Sequence, residues 1–206
     1  ASRNIVPWGI LIGGEELHNN HHTYPNSAKL SVRRFEFDMG WAWIRLFEKL
    51  RLAKVNKVPP RPVFAEDKTS IDMDTLRALM QNRFQVMARY RREVIVPVFQ
   101  EEKARASEAT RAFFRRAGAL LHREDTLINE SGREKLGRLM SESETLAAIY
   151  QFRLRLQDIW SRTSQNSQEM VDALRAWCAE AEASGIRSLE EFSAKLKAYT
   201  VAPSAA

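Results

Sequence analysis

Apolar residues recur every three or four positions along most of this chain, the period of an amphipathic helix. In residues 41–54, Trp43, Leu46, Phe47 and Leu50 share one face, while Arg45, Glu48, Lys49 and Arg51 fall mostly on the other. Beyond a proline-rich stretch the same period predicts helices to the end. Asp72 is placed to cap a helix whose stripe runs Leu76, Leu79, Met80, Met87, Tyr90 and Val94, with a kink or break near Pro97. Further helical segments are expected over residues 100–121 and, more briefly, 130–140. Ser141-Glu142-Ser143-Glu144 reads as a capping box, in which the Ser141 hydroxyl and the Glu144 carboxylate each satisfy a free amide. It opens a helix with Leu146, Ile149, Tyr150, Leu156 and Trp160 on one side. Met170, Leu174, Trp177, Cys178 and Ala181 form the next stripe, which Gly185 stops. Ser188 and Glu191 repeat the capping box ahead of Leu189, Phe192, Leu196 and Tyr199. Short loops between marked caps imply antiparallel packing, so the fold class is mainly α, with a helical bundle in the second half.

Pro59, Pro60 and Pro62 cannot continue a helix and favour an extended path. Residues 57–70 are therefore read as a linker between an N-terminal part, 1–56, and a helical extension, 71–200, with a disordered tail at 201–206. Residues 27–38, with Phe35 and Phe37 beside Arg33 and Arg34, suit a loop that packs on something. At 206 residues and 44% hydrophobic, the chain can bury a core in one or two domains. Its 32 Lys+Arg against 26 Asp+Glu leave a net charge of +6, compatible with anionic lipid, nucleic acid or plain solubility. One cysteine, Cys178, excludes an internal disulfide framework, and its place on an apolar stripe suits a small buried hydrophobe. No stretch reaches the roughly 18 to 20 apolar residues that a membrane span needs.

The candidate chemistry lies in Gly14-Glu15-Glu16-Leu17-His18-Asn19-Asn20-His21-His22, which holds three of the four histidines. At about 100° per residue, His21 and His22 flank His18 within an arc of roughly 100°. Three neutral imidazoles aimed one way make much of a coordination shell for iron, zinc or copper. Glu15 shares that face and could orient a histidine, or ligate through a water. Asn20 points away.

Gly-Glu-x-x-His-Asn-x-His-His followed by Thr23-Tyr24-Pro25 resembles the third histidine box of membrane fatty acid desaturases of the stearoyl-CoA type. Asn4 to Gly9 and the run from Ser27 to Val55 are similar to the bacterial branch of that family. The resemblance implies that His18, His21 and His22 bind a di-iron centre, with Glu15 and Asn19 supporting them. It implies insertion of a cis double bond, Δ9-like, into a fatty acyl chain with O2. Electrons would come from a ferredoxin, a rubredoxin-like protein or a cytochrome b5-like partner. The family's other histidine boxes and membrane spans have no counterpart here, so the sequence resembles the C-terminal portion of such an enzyme and is expected to be inactive by itself. The resemblance also favours the helix at 41–54 as an interfacial one, aromatic on one side and cationic on the other, over a helix packed on a soluble core. The implied location is the bacterial inner membrane, with the histidines and the extension on the cytoplasmic side.

Residues 71–200 carry no evident catalytic pattern. His122 stands alone, which suits a surface or half-buried histidine. Arg89, Arg91 and Arg92, like Arg111, Arg115 and Arg116, could meet phosphates, but interleaved glutamates suit a solvated helix face, and nucleic acid is not the expected partner. The run Trp177 to Phe192, with Ala-Glu-Ala-Ser-Gly-Ile at 181–186, is similar to a helical stretch near the C-terminus of some insertion-sequence transposases, without an acidic triad. The alternative function is a non-catalytic helical module that binds a partner protein or nucleic acid.

Overall fold

The computed structural model describes residues 8–10, 15–24, 27–32, 35–58, 63–65, 67–123, 125–161 and 166–201, with the backbone alone at Trp8, Glu15, Asn19, His22 and Thr23. The chain is mainly helical and divides into two compact units, Ala1–Arg61 and Pro62–Ala206.

In the first unit, β1 (Trp8–Gly9) pairs in parallel with β2 (Phe37–Asp38). A 3-10 turn, Glu15–Leu17, leads into α1 (His18–Thr23). Asp38 ends β2 and caps α2 (Met39–Lys49), its carboxylate accepting the Trp41 N–H at 2.8 Å. The helix thus begins two residues before the stripe at 41–54 and stops five residues before that stripe's end. Arg51 explains the stop: it sits in the left-handed region at φ 61°, with its own N–H donated to Glu48 O and that of Leu52 to Phe47 O. This pair of bonds is a Schellman closure that usually takes glycine. No residue of α2 is buried, and Trp43, Leu46, Phe47 and Leu50 are all exposed.

The second unit begins with β3 (Val63–Phe64), which pairs antiparallel with β4 (Tyr199–Thr200) and so draws part of the proline-flanked stretch onto the body of the unit. Asp72 caps α3 (Met73–Gln81) through the Thr75 N–H at 2.7 Å. At Asn82 the ladder is interrupted: its N–H is shared between Ala78 O and Leu79 O, and its Nδ2 donates to Ala78 O. Next comes α4 (Arg83–Tyr90), then a π-helical segment, Arg91–Ile95, then α5 (Val96–Arg105). The expected break at Pro97 does not occur; proline lacks an N–H to give, and the widened turn just before it keeps the helix continuous. Residues 100–121 are not one segment either. Ser107 caps a separate α6 (Glu108–Ala117), and Arg111 donates to the carbonyls of Lys103, Ala104 and Ala106 that the end of α5 leaves open. A 3-10 turn, Gly118–His122, follows, then α7 (Glu130–Glu142), α8 (Glu144–Ser161), α9 (Ser167–Ala183) and α10 (Arg187–Lys197).

The predicted stripes of α8, α9 and α10 are all buried. Their caps differ from expectation. Ser141 lies inside α7, and Ser143 caps α8 by accepting the Leu146 N–H at 3.1 Å. Ser188 lies inside α10, which has no side-chain cap. Gly185 sits at φ +68° just past α9, where its missing Cβ matters. At the centre, Trp177 meets Phe152, Phe192 and Tyr90 edge to face, with centroids 5.4, 6.1 and 6.3 Å away, and donates from Nε1 to Phe152 O at 2.9 Å.

Glu93, in the π segment, joins the helices electrostatically by accepting from Arg89, Arg92 and Lys195. Burial pushes its carboxyl upward, but these hydrogen bonds outweigh burial and hold it at about 2, against an ordinary 4.5. The folded carboxyl therefore binds its proton more weakly than the unfolded one, so its stabilisation is complete above the ordinary value and is lost as pH falls toward 2. Asp72, held at about 2 through Lys68 and Thr75 despite burial, acts in the same direction. Urea unfolding followed by circular dichroism should show the wild-type midpoint dropping between about pH 5 and pH 2. Glu93→Gln should be less stable at neutral pH and lose less across that window; equal slopes for the two proteins would exclude this role.

Candidate functional site

The histidine helix is short and is held through Asn20 by the buried Glu36 carboxylate, while a second buried carboxylate, Asp38, organises the neighbouring loop. Asn20, on the side of α1 away from the histidines, donates from Nδ2 to Glu36 Oε2 at 2.8 Å. The same oxygen accepts the Val32 N–H at 2.7 Å. Asp38 takes the N–H groups of Leu30 and Ser31 on Oδ2, at 2.7 and 2.9 Å, while Oδ1 caps α2. Both carboxylates are more than nine-tenths buried. A buried carboxylate is tolerated only with such donors, so the loop 27–32 is shaped around them. On the other side of α1, Leu17 is fully buried and Glu16 Oε1 accepts the Ile10 N–H at 3.1 Å. These anchors hold the turn that presents the histidines, and none of them had a signature in the sequence beyond Asn20's direction.

His18 is exposed and His21 half-buried, with their rings stacked at 28° and centroids 6.2 Å apart. The expected placement of these two on one side of α1 is what the structure has. The side chains of His22, Glu15 and Asn19 lie outside the described residues. Imidazole nitrogens are suitable donors for a transition metal such as iron. Among the described residues, no group of three or more His, Cys, Asp or Glu side chains is gathered so as to hold a metal ion. Also among them, no helix is long and apolar enough to cross a membrane.

In the second unit the one histidine, His122, and the one cysteine, Cys178, have different surroundings. Burial raises the Cys178 thiol to about 11, which keeps it protonated and unreactive. His122 is half-buried, and its pKa is lowered by burial and then by the positive charges of Arg91 and Arg153. Arg153 itself is buried, donating to Leu121 O at 3.2 Å and to Arg123 O at 2.7 Å. These groups line a cleft of about 410 Å³ formed by α4, the π segment, the 3-10 turn and the end of α8. Most of the arginines flagged in the sequence are paired or capping, as a solvated face requires; Arg91 is the one that lines this cleft.

Comparison with known proteins finds two kinds of relative. A protein-family model described as "Transposase" matches residues 77–202, far beyond the run Trp177–Phe192 in which the likeness was legible. Curated relatives match a shorter stretch. The chain is 41% identical over 59 residues to a Delta-9 desaturase-like 5 protein of Arabidopsis thaliana, covering 29% of this chain and 20% of that protein. It is 41% identical over 64 residues to an sn-1 stearoyl-lipid 9-desaturase of Synechocystis sp., covering 31% and 20%. It is 44% identical over 62 residues to an sn-2 palmitoyl-lipid 9-desaturase of Nostoc sp., covering 30% and 22%. The chain thus spans about a fifth of the length of the curated relatives it matches. No solved structure matches.

If Asp38 organises the support of the histidine turn, Asp38→Ala removes a helix cap and strands two further amides. The expected loss is roughly 2 kcal/mol or more in the first unit. Amide hydrogen exchange should accelerate at Leu30, Ser31 and Trp41 while the core of α8 and α9 is unchanged. Unaltered protection at those three amides would remove Asp38 from this role.

Proposed function

The chain belongs to the transposase family through residues 77–202, and we infer that it joins a helical, nucleic-acid-binding body of that kind to the metal-binding end of an acyl desaturase. One observation carries the desaturase half. The motif Gly-Glu-x-x-His-Asn-x-His-His, with His18 and His21 in ring contact on one turn, supports it, beside matches 41% identical over 59 and 64 residues to Δ9 desaturases and desaturase-like proteins.

In this reading His18, His21 and His22 hold iron as neutral imidazoles, and Glu15 and Asn19 orient them. A di-iron centre, when bound, supplies the O2 chemistry that takes two hydrogens from a fatty acyl chain and leaves a cis double bond. The chain's own contribution is placement. Asn20 on Glu36 fixes the rotation of the turn, and Leu17 anchors its start. The exposed apolar face of α2, Trp43 to Leu50 with Arg45 and Lys49 alongside, suits the surface of a membrane that carries the acyl substrate. Electrons come from a separate carrier protein, of the ferredoxin, rubredoxin or cytochrome b5 kind. The location is the bacterial inner membrane, with the histidines on the cytoplasmic side. Three imidazoles are too few for two irons, so the ligand set is completed by residues other than these, and the 206-residue sequence alone neither retains two irons nor desaturates.

For residues 77–202 the family match favours nucleic acid as the partner, although interleaved charges argue for a merely solvated face.

Iron analysis of the purified chain should find fewer than two irons per molecule; two tightly held irons would overturn the shared ligand set. In the intact desaturase, His18→Ala, His21→Ala and His22→Ala should each abolish unsaturated product in gas chromatography of the acyl chains. Product retained in any one of them strikes that histidine from the site.

A further inference from the structure

The cleft between α4 and the end of α8 gathers cations around one enclosed space. Many arginines elsewhere in the second unit meet carboxylates: Arg77 meets Asp74, Arg105 meets Glu102, Arg155 meets Glu180, Arg175 meets Asp172 and Arg187 meets Glu191. The cleft is lined by Arg83, Arg91, Arg153 and His122, and by no Asp or Glu. Among the described residues neither Arg83 nor Arg91 meets a carboxylate, while Arg153 has its nearest, Asp125, at 3.9 Å and outside the lining. Several positive charges around a partly enclosed space lined by Met87 and Ile95 focus an attractive field on an anion.

Two aromatic groups narrow the kind of anion. Phe84 is half exposed at this cleft, with the Arg83 guanidinium 4.9 Å from its ring centre, and offers a free face for stacking. Trp160 also lines the cleft and is more than nine-tenths buried, yet its Nε1–H has no acceptor. A buried indole N–H without a partner is uncommon and costs free energy unless something accepts from it. The third feature is the backbone. Arg91 and Ile95 reach the cleft from the π-helical segment, a geometry concentrated at functional sites. Guanidiniums, a stacking face and an indole donor together match a phosphate joined to a flat, hydrogen-bonding ring, and the 410 Å³ of the cleft is within the range of small-ligand sites.

We propose that this cleft binds one nucleotide unit, with Arg83 and Arg91 on the phosphate, Phe84 against the base, and Trp160 Nε1–H donating to a base or phosphate oxygen. The proposal deepens the nucleic-acid reading of residues 77–202 and rests on it. The nucleotide can belong to a single strand or be free, since the recognised chemistry is the same.

The test titrates the full chain at low ionic strength with a labelled single-stranded oligodeoxynucleotide, with a free deoxynucleoside monophosphate, and with anionic phospholipid vesicles. Phe84→Ala and Arg91→Gln serve as variants; both side chains are exposed, and circular dichroism checks that the fold is intact. The expected result is oligonucleotide binding that weakens with salt and falls roughly five- to a hundred-fold in Phe84→Ala. Arg91→Gln should weaken binding and flatten the salt dependence. Oligonucleotide binding unchanged in both variants would overturn the cleft and leave the nucleic-acid reading standing. Monophosphate binding that the variants abolish, with no oligonucleotide bound, would keep the cleft and remove that reading. Binding of neither nucleotide form, or variant-sensitive binding of vesicles alone, would overturn both.

Discussion

Burying a charge is tolerable only where polar groups are brought to it, and both units of this protein are arranged around that constraint. In the first unit the buried carboxylates of Glu36 and Asp38 collect four backbone N–H groups and the Asn20 amide. In the second, the buried guanidinium of Arg153 collects the carbonyls of Leu121 and Arg123. In each case the backbone that supplies the partners has little regular structure of its own. The charges therefore determine the path of loops that helix periodicity leaves free.

Function inherits this arrangement. The histidine turn is too short to hold itself, since a helix of one or two turns is marginal in water. It stands where Asn20 and Leu17 place it, and those depend on Glu36 and on packing. In the second unit, Arg153 ties the 3-10 turn bearing His122 to α8, and so sets one wall of the cleft. The aromatic cluster at Trp177 supplies the apolar rigidity against which α4 and α8 are fixed.

Much of the helical half was legible in the sequence because burial there follows a single period. Every apolar residue assigned to the stripes of α8, α9 and α10 is buried, and Asp72 and Gly185 do the capping expected of them. Caps failed where the motif overlapped itself. Ser141-Glu142-Ser143-Glu144 offers two serines, and only packing of α7 decides that Ser143 is free to turn inward. Pro97 misled because a missing donor can be absorbed by a wider turn as well as by a break. In the candidate sites, the placement of His18 and His21 on one side of α1 was legible from their spacing. Glu36, Asp38, Arg153 and the cleft were not, because each depends on residues from several separate segments meeting in space.

The same distinction explains how a modest net charge of +6 can still leave local concentrations of positive charge. Counted along the chain, the arginines of the second unit are interleaved with glutamates and read as a neutralised surface. Counted in space, most are cancelled locally: Glu93 alone engages Arg89, Arg92 and Lys195. Arg83 and Arg91, about two turns apart along α4 and the π segment, face a lining without carboxylates, where the field of each adds to the other's. What matters for a phosphate is this residual after local pairing, which charge counts cannot report. The cleft's positive charge is visible only in space, where residues from α4, the π segment and α8 meet around one opening.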